Sequence, residues 1–248
     1  MTLEACVALV RRADPDRAAA AELAPVAAQN VLWPLYAFNV EVSRAPWVTQ
    51  EPMIAEMRLQ WWRDALEEMA GEGAVRAHEV TSVLAEVLPD AAVPILDSLV
   101  AARRWDIYTD AFEDEAHLLD YLEKTSAGLM QAGALALGGS VSDSLRDFGR
   151  GVGLSRFLQA APALEARGRK PLVEGTPDGI QALCEKVLAQ MPKTRDVKRD
   201  LGPDAAPLIR EGWQARALLR QAIANPTRVA EGSLALSEFS KRGRLFLS

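Results

Sequence analysis

The residues with the clearest capacity for chemistry are the aspartates. Two aspartates four positions apart on a helix present their carboxylates on one face, where they can share divalent cations that in turn hold a diphosphate. The chain has 15 aspartates in 248 residues, for which chance gives about one pair at the spacing that helical geometry requires. Five pairs occur: Asp106/Asp110, Asp110/Asp114, Asp143/Asp147, Asp196/Asp200 and Asp200/Asp204. Asp110 and Asp114 sit in an acidic run at a helix start, where carboxylates complement the dipole. Asp200/Asp204 spans Gly202-Pro203 and shares no single helical face, and Asp196/Asp200 is interleaved with Lys193, Arg195, Lys198 and Arg199 as on a solvated face. Asp106/Asp110 and Asp143/Asp147 are the pairs least explained by capping or solvation.

Other chemistries have less support. His78 and His117 stand in polar helical surroundings with no partner at metal-ligand spacing, and both read as surface residues. Gly149, Gly151 and Gly153 follow no strand, so they form no dinucleotide fingerprint; alternate glycines in a helix instead permit close approach of a neighbour or ligand. Ser43, Ser126 and Ser155 lack the elbow that marks a nucleophile. Cys6 and Cys184 provide neither a disulfide framework nor a thiolate zinc site, which suits a reducing compartment. The net charge of −6 argues against nucleic acid as a partner. The acid near the N-terminus, its short apolar run and the absence of a long apolar segment predict a cytoplasmic protein with at most a peripheral membrane contact.

The elements that must position these residues read as helices. Apolar residues make up 49% of the chain and charged ones 25%, with alanine and leucine dominant, and strand signals are nearly absent. Asp14-Pro15 is an N-cap followed by proline at the first helical position. Long helices are expected over 25–45, interrupted at Pro34, and over 53–70, stopped at Gly71-Glu72-Gly73. Further helices are expected over 78–88, 93–108, 113–137, 141–164, 177–190, 203–224 and 233–246. No linker or repeat divides the chain, which predicts one all-α domain over residues 1–248. The 25–45 helix is apolar nearly all round, as a central helix of a bundle would be, and with the 53–70 helix could line a central apolar cavity.

Tyr36-Ala37-Phe38, Arg58-Leu59-Gln60-Trp61-Trp62-Arg63-Asp64, the small residues Thr125 to Gly128 within Tyr121 to Met130, and Gly151 to Gln159 followed by Gly168-Arg169 occur in an order that resembles the squalene/phytoene synthase family. The resemblance implies the isoprenoid synthase fold and, in active members, condensation of prenyl diphosphates on two acidic, magnesium-binding motifs. Carried onto this chain, the cysteine-arginine pair of the first motif falls on Asn39-Val40 and its double aspartate on Ser43-Arg44. In the second motif the expected polar residues fall on Ser155, Leu158, Ala161 and Pro162. The pattern is similar to a divergent branch related to assembly factors of respiratory complex I, which is thought to keep the fold without the reaction.

The resemblance thus implies a non-catalytic assembly or lipid-binding factor with no metal and no cofactor. A prenyl or other lipid would be its ligand, and a protein its partner. The alternative is an active prenyltransferase that uses magnesium on relocated acids, for which Glu41, Asp64, Asp106 and Asp110 are the candidates. Tyr36, Asn39, Ser43, Arg44, Arg58, Trp61 and Ser155 are the candidate pocket residues. Asp106 or Asp110 facing a cavity opposite Glu41 would favour the enzyme; Ser43 and Arg44 facing a pocket without acids would disfavour it. The C-terminal run Lys241-Arg242-Gly243-Arg244 reads as cations complementing a helix end, with a peripheral membrane contact as the alternative.

Overall fold

In the computed structural model, which describes residues 2–71 and 73–247, the described residues contain helices and turns and no strand. Met1 and Glu72, of the N-terminal and Gly71-Glu72-Gly73 readings, lie outside them. The helices are α1 (Leu3–Ala13), α2 (Pro15–Glu22), α3 (Val26–Arg44), α4 (Pro52–Ala70), α5 (Thr81–Leu84), α6 (Val93–Ala102), α7 (Glu115–Leu122), α8 (Gly128–Ala136), α9 (Asp143–Glu165), α10 (Pro177–Gln190), α11 (Thr194–Ala205), α12 (Ala215–Ala224), α13 (Thr227–Ala230) and α14 (Glu238–Leu247). None is long and apolar enough to cross a membrane. The fold is all-α among the described residues, and buried apolar side chains from Cys6 to Leu234 join in one contiguous cluster.

Helix α3 is the central strut. From Leu32 to Val40 every residue is buried, and the helix continues through Pro34. Helices α1, α2 and α8 pack against it, while α4 reaches it through Trp62, whose ring stands edge-on to Phe38 at 5.4 Å. His78 completes this aromatic cluster, 5.3 Å from Trp61 and 5.1 Å from Trp62, and its Nδ1 accepts the Val80 amide hydrogen. It is therefore half-buried, as is His117, which packs edge-on against Phe112. Periodicity could not reveal this, because the covering aromatics come from other elements.

Several expected helices are broken. The 78–88 segment is helical only over α5, and the 93–108 segment tightens into a 3₁₀ turn over Arg103–Asp106. Between α7 and α8 one π-turn, Glu123–Ala127, interrupts the expected 113–137 helix. The 203–224 helix is absent as such: α11, which was not expected, runs into Gly202 at φ +74°, followed by a 3₁₀ stretch over Ala206–Gly212 and then α12. A left-handed glycine followed by a proline without an N–H leaves the α-helical hydrogen-bond ladder no way through.

The alternate glycines of α9 are contact points. A Cβ on Gly149 would lie 2.6 Å from Ala127 Cα, one on Gly151 2.7 Å from Met191 Sδ, and one on Gly153 2.7 Å from Ser126 Cβ. Helix α9 therefore lies directly on the π-turn, and this close packing fixes residues 121–126 against residues 153–157 beside the cavity. Both cysteines are buried free thiols; burial pushes Cys6 up to about 11 and Cys184 to about 12.

Candidate functional site

A cavity of about 770 Å³ opens where α1, α3, α7, the π-turn and α9 converge. Residues Asn39, Val40, Ser43 and Arg44 come from one face of α3, as their spacing requires. Opposite them stand Tyr121, Leu122, Thr125 and Ser126, and Gly153, Arg156, Phe157 and Ala160 of α9. It is not the cavity expected between the 25–45 and 53–70 helices, since no residue of α4 lines it, and its wall is apolar only in part. Six arginines line it (Arg12, Arg17, Arg44, Arg103, Arg156 and Arg167), with one carboxylate, Asp14, and no lysine.

Asp14 is the hub of a buried network. Its Oδ1 accepts the Arg17 backbone N–H, which caps α2, and its Oδ2 accepts from both Arg17 and Arg156 at 2.8 Å. Arg17 in turn donates through Nε to Glu211, whose side chain is fully buried, and its guanidinium lies 5.6 Å from the ring centre of Tyr36. Burial raises the Asp14 carboxyl, but Arg156, Arg17 and the Arg17 amide outweigh it and hold it well below the usual carboxylate range. Because the folded value is depressed, the stability this group supplies is complete above about pH 4, the usual value of an unfolded aspartate, and is lost as pH falls through the folded value. Asp14→Asn, which keeps a capping oxygen, should be less stable than wild type at pH 6. Urea midpoints of the two proteins should converge towards pH 2; a constant gap would refute the assignment.

On the other wall, the Tyr121 hydroxyl donates to Asp106 at 3.0 Å, and Arg103 Nη1 lies 3.2 Å from the same carboxylate and 2.7 Å from the Tyr121 oxygen. Burial pushes both Asp106 and Tyr121 up. Arg169 donates to the backbone oxygens of Trp105 and Asp106. Trp47 carries Arg167 on its ring at 4.8 Å and Arg169 at 5.0 Å.

The structure separates the expected site residues. Asn39, Ser43 and Arg44 face the cavity; the Ser43 hydroxyl donates to Val40 O at 3.1 Å. Tyr36 lies beneath it, buried under Arg17. Ser155 is buried, donating to Val152 O, and is not part of the cavity wall. Glu41, Arg58 and Trp61 belong to a second groove of about 470 Å³ between α3 and α4, with Arg44 on the ridge shared by both. Glu41 pairs there with Arg44 at 3.1 Å. Asp64 is half-exposed, accepting from Gln60 at 2.7 Å and lying 3.6 Å from Arg76. Asp106 is sealed by Tyr121 and Arg103, and Asp110 lines a different depression beside His117 and Lys124. Neither Asp106 nor Asp110 therefore faces Glu41 across the cavity. Asp143 and Asp147 pair with Arg146, and Asp147 also with Arg150, with Asp143 largely exposed.

Magnesium is what the resemblance implies for active members, and the donor set of this cavity does not suit it: its single carboxylate already accepts from two guanidiniums. Among the described residues no three His, Cys, Asp or Glu side chains converge as a metal site. Sequence reasoning missed the arginine ring, because its members come from 12, 17, 44, 103, 156 and 167. The available signal was compositional: 22 of the 28 basic residues are arginine, the cation suited to fixed, bidentate contacts.

A family profile for squalene/phytoene synthases matches residues 10–236. The NADH dehydrogenase (ubiquinone) complex I, assembly factor 6 homolog of Drosophila melanogaster is 30% identical over 179 residues, 68% of this chain and 53% of that protein. The chain thus spans about half the length of this relative. A dehydrosqualene synthase crystallised in complex with ligand aligns at TM-score 0.72 and 14% identity over 99% of this chain and 94% of that one, a likeness of fold.

Proposed function

The chain belongs to the squalene/phytoene synthase family, and from that membership we propose a non-catalytic binding or assembly factor that holds a lipid in the arginine-lined cavity and engages a protein partner. One observation carries the reading: Ser43 and Arg44 face a cavity whose lone carboxylate, Asp14, is already held by two arginines. Departure of diphosphate in a condensation needs strong cationic stabilisation, commonly by divalent ions on clustered carboxylates. The dispersal of Glu41, Asp64, Asp106 and Asp110 over separate surfaces offers no substitute cluster.

The proposal takes residues 1–248 as one domain, supported by the single contiguous core, and requires neither metal nor other cofactor. The name of the fly relative supports a role in assembling a protein complex, and the lack of a spanning helix among the described residues is compatible with a peripheral membrane contact. Purified protein incubated with farnesyl or geranylgeranyl diphosphate and magnesium should release no diphosphate and form no condensed product. Condensed product above a heat-inactivated control would sink the proposal.

A further inference from the structure

The geometry points to a metal-independent anion site: the cavity binds a phosphate-class headgroup through its arginines, without a divalent cation. The inference rests on the non-catalytic reading of this cavity and specifies its ligand. The chain as a whole is acidic, at −6, yet six lining arginines face one lining aspartate. Counting the carboxylates that pair with them from outside the wall (Glu41, Asp106 and Glu211), two positive charges remain in excess. Cations gathered in a partly enclosed space of lowered dielectric repel one another and raise the affinity for an anion there.

The cluster is also preorganised. Asp14 fixes Arg17 and Arg156, and Asp106 with Tyr121 fixes Arg103, so these side chains lose little freedom when a ligand binds. Arg12 and Arg167 have no carboxylate partner among the described residues; Arg167 lies only against the Trp47 ring. Guanidinium groups match phosphate oxygens in pairs. Ser126 adds a buried hydroxyl on the same wall with no hydrogen-bond partner in the protein.

The phosphate could be free or the head of an amphiphile, so two probes are compared. The full chain in EDTA is titrated calorimetrically with sodium dodecyl phosphate, below its micelle concentration, and with inorganic diphosphate. Saturable one-site binding is expected, weakened by added salt and not tightened by millimolar magnesium. Arg12→Ala/Arg167→Ala should weaken it at least tenfold with an unchanged urea midpoint, while Arg195→Ala/Arg199→Ala, on α11, should leave it unchanged. Tighter dodecyl phosphate assigns a lipid headgroup; equal or tighter diphosphate assigns a free anion. Absence of saturable binding, a requirement for magnesium, equal binding of dodecyl maltoside, or equal loss in both double variants would overturn the site. Product in the turnover assay would remove the non-catalytic reading separately, because metal-free binding is scored without substrate turnover.

Discussion

Arg17→Met should destabilise the protein by about 3–5 kcal/mol, the range for removing one partner of a buried ion pair. The reason is Glu211. Its side chain has no exposed surface, Arg17 lies 2.6 Å from one carboxylate oxygen, and the other oxygen has no hydrogen-bond partner. Without the guanidinium, the folded protein must either bury an uncompensated carboxylate or protonate it. Glu211→Leu alone leaves Arg17 buried with Asp14 as its remaining carboxylate, and should also be costly. Arg17→Met/Glu211→Leu removes both charges and should be more stable than the sum of the single effects predicts, by more than 1 kcal/mol. Urea unfolding of the four proteins measures this coupling. Strict additivity would mean that the pair does not act as a unit. The pair joins α2 to the 3₁₀ stretch before α12 across 194 residues of chain, and it holds one of the cavity's arginines in place.

Gly149→Ala should be the most disruptive single-methyl addition in α9, costing about 1–3 kcal/mol or more as overpacking. The new Cβ would lie 2.6 Å from Ala127 Cα and 2.8 Å from its Cβ, so a backbone has to move, not a side-chain end. Ala127 closes the π-turn, and displacing it also shifts Thr125 and Ser126 in the cavity wall. Gly175→Ala is the matched control: nothing lies within 4 Å of its added Cβ, and the effect should fall within about ±0.5 kcal/mol. Comparable midpoints for the two variants would exclude the close approach. Anion binding by Gly149→Ala, measured where it remains folded, should weaken as the wall moves.

The helices themselves were legible where the signal was local. Asp14-Pro15 starts α2, the 177–190 helix has its expected bounds, and α3 is buried without a break from Leu32 to Val40. Such features depend on capping, backbone donors and apolar continuity within a few turns. Where neighbours decide, the reading failed. The 113–137 pattern cannot disclose a π-turn that accommodates α9, and Lys193 to Arg199 looked like a solvated segment although Val197 and Leu201 anchor it as α11.

The candidate site divides along the same line. Asn39, Ser43 and Arg44 could be placed on one cavity-facing surface from their spacing on α3, and Tyr36 belongs to the same buried region. Glu41 and Trp61 could not be assigned to a different groove, because a helix apolar on several sides does not state which side meets which neighbour. The sequence alone determined the all-α architecture and the family likeness. Only the tertiary structure decided that arginines from six separate places share one cavity with a single carboxylate. Local periodicity sets which way a side chain leaves its own helix, whereas the charge of a cavity is a sum over elements brought together by packing.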